Sequence, residues 1–105
     1  MYDKNIINTI NNEMIKLTKS YLGLYFYGSR YKGTDRDDSD YDIILILKNE
    51  VKYEDKEKIY HLIGNLEYLN NIFIDIKIMT NSQLKINPYF YREVINGGKY
   101  YEGNT

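Results

Sequence analysis

The chain is 105 residues long with 43% hydrophobic residues, room for one packed domain over residues 1–105 and no second core. Fourteen Lys and Arg against fifteen Asp and Glu exclude a generally basic nucleic-acid-coating surface, so no direct nucleic-acid binding is expected. With no Cys there is neither a disulfide nor a thiolate nucleophile, and no secretory leader or membrane span is expected, which makes the cytoplasm the default compartment.

Ile6, Ile7, Ile10, Met14 and Leu17 recur at helical spacing and predict a helix over about 4–19, with Asp3 as its N-cap. Tyr21 to Tyr27 reads as a strand of aromatic and aliphatic residues interrupted by Gly23, ended by Gly28-Ser29. A polar stretch from Arg30 to Ser39 follows, expected to hold one short helical turn and a loop. Tyr41 to Leu47 is apolar at nearly every position, which places it in the middle of the sheet with both faces covered.

Ile59, Leu62, Ile63, Leu66 and Leu69 predict a second amphipathic helix over about 54–69. Ile72 to Met79 alternates: Ile72, Ile74, Ile76 and Ile78 face one way, Phe73, Asp75, Lys77 and Met79 the other. Asn87-Pro88 suits the cap and first position of a last helix closed by Gly97-Gly98. The expected order is α-β-α-β-α-β-α. This is an α/β (α+β) domain in two or three layers, a small mixed β-sheet packed with helices.

Asp40 and Asp42 are two apart at the start of a predicted strand and so should share a face. Asp75 is a carboxylate inside another apolar strand, where both propensity and desolvation disfavour it. If the two strands are neighbours, three carboxylates converge and raise one another's pKa. A divalent cation resolves that conflict, and carboxylate oxygens suit Mg²⁺. An acidic loop containing Asp35, Asp37, Asp38 and Asp40 is, taken alone, more often a solvated surface.

Gly28-Ser29 after a strand can hold phosphate oxygens on backbone N–H groups and the Ser hydroxyl. Read alone, the dipeptide is as readily a turn. Neither a P-loop nor a Gly-x-Gly-x-x-Gly fingerprint occurs. Lys77 shares a strand face with Asp75, and either neutralises phosphate or pairs with a carboxylate. His61 lies beside the apolar stripe of its helix and is read as exposed and without chemistry. Tyr89, Phe90, Tyr91, Tyr100 and Tyr101 form either an exposed aromatic patch or the packing of the last helix.

Gly28-Ser29, ten intervening residues, then Asp40-Tyr41-Asp42 make the pattern Gly-Ser-x10-Asp-x-Asp. It resembles the signature of the DNA polymerase β-like nucleotidyltransferase superfamily, and the run from Gly28 to Asp42 resembles its minimal nucleotidyltransferase (MNT) branch. That resemblance implies the nucleotidyltransferase fold. It implies phosphate binding by Gly28 and Ser29; Arg30 and Lys32, lying within the same run, and Lys77, by its place beside Asp75, are the further candidates for nucleotide binding. It also implies a metal triad of Asp40, Asp42 and Asp75, holding Mg²⁺ as two ions, with ATP as substrate. MNT proteins paired with HEPN-domain toxins imply an antitoxin that transfers AMP to a Tyr of its partner. Transfer to a small molecule such as an aminoglycoside, and neutralisation by binding alone, are the alternatives.

Overall fold

In the computed structural model, which describes residues 4–33 and 40–104, β-strands and helices alternate along most of the chain. The order is α1 (Lys4–Leu17), β1 (Tyr21–Tyr27), α2 (Gly28–Lys32), β2 (Tyr41–Leu47), α3 (Tyr53–Asn70), β3 (Ile74–Met79), α4 (Asn81–Lys85), α5 (Pro88–Asn96) and β4 (Gly98–Glu102). The expected cap Asp3 and most of the polar loop, 34–39, lie outside the described residues.

The four strands form one sheet in the order β3-β2-β1-β4. β1 runs antiparallel to both β2 and β4, whereas β2 and β3 are parallel. Parallel neighbours need a crossover, and α3 supplies it. β2 is interior as its unbroken apolar run requires: Ile43, Ile44, Leu45 and Ile46 are all fully enclosed. Each such side chain stabilises the fold by roughly 1.5–3 kcal/mol relative to exposure.

Alternation along β2 divides the core. Tyr41, Ile43, Leu45 and Leu47 pack with Ile6, Ile7, Ile10 and Met14 of α1 and with Ile59 and Ile63 of α3. Ile44 and Ile46 face the other way, onto Leu84 of α4 and Val94 of α5. The domain is therefore three-layered. The Tyr21 hydroxyl donates to Asn11 Oδ1, tying α1 to the first strand.

Several boundaries differ from the sequence expectation. α1 stops at Leu17, because Thr18 starts the turn into β1: its carbonyl accepts from Tyr21 N (3.3 Å) and its hydroxyl from Ser20 N (3.2 Å). Leu69 is 75% exposed instead of continuing the α3 stripe. Ten residues at 3.6 per turn carry it roughly 80° away from Ile59. α4 and β4 were not expected. α4 is set by a capping box in which Thr80 and Gln83 bond each other's backbone N–H. β4 exists because Gly98 to Glu102 pairs with β1 from Tyr27 back to Gly23. Among the described residues no helix is long and apolar enough to cross a membrane.

Candidate active site

Three strand ends bring the site together. Tyr27 at the end of β1 is opposite Asp42 on β2, and Asp42 is opposite Asp75 on β3. Opposed residues of paired strands project from one face, here the face that carries α4 and α5. Asp42 is half-buried, and Asp75, on the edge strand, is 46% exposed in its side chain. The desolvation expected at Asp75 therefore falls chiefly on Asp42.

Asp42 has its carboxyl raised above the ordinary range, first by burial and then by the charge of Asp75, with a smaller contribution from Asp40; Lys77 opposes the shift. Lys77 Nζ lies 3.2 Å from Asp75 Oδ2 and 3.4 Å from the Tyr27 hydroxyl. Burial lowers the Lys77 pKa, but its bonds to Asp75 and Tyr27 outweigh that and leave it raised. The Tyr27 phenol is pushed up by burial and pulled partly back by Lys77.

Gly28 follows Tyr27 at φ 86°, left-handed backbone that favours glycine. A Cβ there would run into the Asp42 carboxylate, with Cγ at 3.1 Å. Both the turn and the space thus demand Gly, and the backbone of α2 begins against Asp42. Ser29, half-buried, lies in the first turn of α2.

The remaining expected residues are more dispersed. Asp40 is exposed and sits just before β2, which begins at Tyr41 with its N–H donating to Phe73 O (2.9 Å). The strand ladder therefore does not fix Asp40 on the face of Asp42, contrary to the expected shared strand. Its charge nonetheless reaches Asp42. Among the described residues no three carboxylate or imidazole groups stand close enough to form a metal centre as they are. Arg30 places its guanidinium 4.8 Å over the Tyr41 ring. Tyr41 leaves β2 on the face away from Asp42. Lys32 lies across Gly97, near a shallow depression of about 390 Å³ that it shares with Tyr89, Arg92, Glu93 and Asn96.

Tyr27 is the residue that sequence reasoning passed over. Read as one aromatic of a strand, it is also the position opposite Asp42 once β1 and β2 pair, and its hydroxyl is the polar signal. A broad depression of about 700 Å³ between Glu57, Lys58, Tyr60 and His61 lies on α3, across the sheet from the carboxylates. His61 is exposed there, as expected. The last aromatics divide between the two readings: Tyr89 is 81% exposed, whereas Phe90 packs edge-on against Tyr27 (5.9 Å) and Tyr100 lies against Tyr25 (4.8 Å).

The donor set fits a hard divalent cation. Two carboxylates share one spot, and one of them resists ionisation through burial first and the charge of the other second. A cation between them removes that conflict.

The family model described as "Polymerase beta, Nucleotidyltransferase" matches residues 4–101. Among solved structures, the chain is similar to one of a toxin–antitoxin with AMP-PNP, at 17% identity and TM-score 0.68, covering 97% of this chain and 74% of that one. It is similar to a chain from Shewanella oneidensis at 15% identity and TM-score 0.63, covering 97% and 73%. It is also similar to a structure of the tri-AMPylated Shewanella oneidensis HEPN toxin in complex with MNT antitoxin, at 16% identity and TM-score 0.53, covering 91% and 71%. At these identities the likeness is one of fold. No curated protein matches the chain.

Proposed function

We propose that this chain, which belongs to the polymerase β nucleotidyltransferase family, is an antitoxin that transfers AMP from ATP to a tyrosine hydroxyl of a HEPN-domain toxin in the cytoplasm. The observation that carries the reading is the register of Asp42 against Asp75, with Gly28 pressed on Asp42. Similar folds occur in a toxin–antitoxin with AMP-PNP and in a complex whose HEPN toxin is AMPylated, which supports both donor and partner.

In this reading Asp42 and Asp75, joined by Asp40, hold Mg²⁺ as two ions. When bound, Mg²⁺ neutralises charge on the α-phosphate and on the leaving oxygen. The backbone N–H groups at Gly28 and Ser29, with the Ser29 hydroxyl, hold non-bridging phosphate oxygens. Gly28 has no side chain to keep a phosphate at a distance. Lys77, and more distantly Lys32, add positive charge along the triphosphate.

The acceptor tyrosine oxygen attacks the α-phosphorus in line. A new O–P bond forms as the bond to pyrophosphate breaks, and the phenolic proton passes to Asp75. The half-exposed position of Asp75 on the edge strand gives an incoming side chain access to it. Geometry contributes more than covalent chemistry here, as in phosphoryl transfer generally.

The test incubates the protein with Mg²⁺, α-labelled ATP and the product of the neighbouring gene, next to an Asp40→Ala/Asp42→Ala control. Label should appear on the partner and vanish with the control. Absence of label, with the double variant still neutralising the toxin, would leave a binding module and overturn the catalytic reading.

A further inference from the structure

We propose that Lys77 is the built-in counter-ion of the carboxylate pair, parked on Asp75 by the hydroxyl of Tyr27, and that it yields this position to an arriving divalent cation. The inference rests on the reading of Asp42 and Asp75 as metal ligands.

Three features carry it. The backbones of Asp42 and Asp75 are held in register by strand pairing, so their carboxylates can part only by side-chain rotation. An ammonium already sits where a cation is needed, with Lys77 Nζ 3.2 Å from Asp75 Oδ2. Its other neighbour, the Tyr27 hydroxyl at 3.4 Å, belongs to a residue only 6% exposed. Phe90 packs edge-on against that ring.

A phenylalanine at position 27 would fill the same space between Phe90 and the sheet. The hydroxyl is what distinguishes Tyr, and Lys77 is what it touches. Lysine suits the task because its charge rides on a flexible four-carbon stem. The ammonium can leave Asp75 without any movement of β3 and remain close enough to meet a phosphate oxygen. Lys77 thus keeps Asp75 aimed before the cation arrives and supplies charge to the nucleotide afterwards. Tyr27 acts only through Lys77 and is a positioning residue.

The experiment titrates Mn²⁺ alone, by calorimetry and without nucleotide, into the wild-type protein, Lys77→Met and Tyr27→Phe. Lys77→Met should bind Mn²⁺ more tightly by up to about fivefold, the upper range for one partly exposed ion pair, and Tyr27→Phe by a smaller factor. In steady-state transfer, the KM for Mg-ATP should rise in Lys77→Met and stay near wild type in Tyr27→Phe. Tighter metal with weaker nucleotide is a split that structural damage does not produce, since damage weakens both. Wild type that binds Mn²⁺ with both variants unchanged or weaker overturns the counter-ion alone. No Mn²⁺ binding by any of the three overturns the metal reading and the counter-ion with it.

Discussion

Replacing Gly28 with alanine perturbs the site through a single methyl group. Gly28 stands at φ 86°, where a residue with a Cβ costs about 1–2 kcal/mol. The added Cβ also enters the space of the Asp42 carboxylate, whose Cγ would be 3.1 Å away. That carboxylate is the end of a side chain, so Asp42 can rotate away while the strands stay paired. The total loss of stability should therefore remain about 1–3 kcal/mol. In a domain of this size each kcal/mol lowers Tm by roughly 4–8 °C, so Gly28→Ala should melt well below wild type yet be folded at 25 °C. Transfer should suffer far more, because an ångström of misplacement at a reacting group costs on the order of 10²-fold. The two readouts are a circular-dichroism melt and the rate of label transfer from α-labelled ATP. A variant with the expected drop in Tm and a wild-type transfer rate would refute the placement of the phosphate beside Gly28 and Asp42.

Burial and the charge of Asp75 raise the Asp42 carboxyl above its ordinary value of 3.8, so the folded protein binds that proton more tightly than the unfolded chain. Stability is then lost as pH rises from 3.8 through the raised folded value; metal-free Asp42→Asn should melt above wild type at pH 7, with the gap closing as pH falls below 3.8, and a lower or pH-independent melting point would contradict this. Asn87 Oδ1 accepts from Tyr89 N (3.1 Å) and Phe90 N (3.2 Å) at the start of α5; Asn87→Ala should cost about 1 kcal/mol, read from the urea midpoint at unchanged slope, and no shift would mean that the cap is redundant.

The elements legible in the sequence were those whose period is set by burial on a long face. α1 announces itself through Ile6, Ile7, Ile10 and Met14, and β2 through an apolar run that only an interior strand sustains. β4 carries no such signal. Its residues are Gly, Lys, Tyr, Tyr and Glu, none of them buried, and its conformation comes from pairing with β1. α4 buries Leu84 alone and is too short to show a stripe, although Thr80 and Gln83 stand at capping-box spacing. In the site, the pairing of Asp42 with Asp75 was anticipated on the condition that their strands be neighbours, which only the topology decides. The shared face of Asp40 and Asp42 depended on where β2 starts, and strand ends are set by partners: here Tyr41 bonding to Phe73. Tyr27 escaped notice because its role arises from a lysine fifty positions away, brought within 3.4 Å by β2 lying between their strands.

The parallel pairing of β2 with β3 has a consequence for how the domain reports on itself. Asp42 and Asp75 meet only in one alignment. A slip of β3 by a single residue turns every one of its side chains over, driving Asp75 toward the apolar layer of α1 and α3 and setting an isoleucine opposite Asp42. Such a chain would keep its helices and much of its far-ultraviolet signature while losing the carboxylate pair. Turnover in this domain is thus a register gauge with single-residue resolution: a preparation that works has its strands aligned.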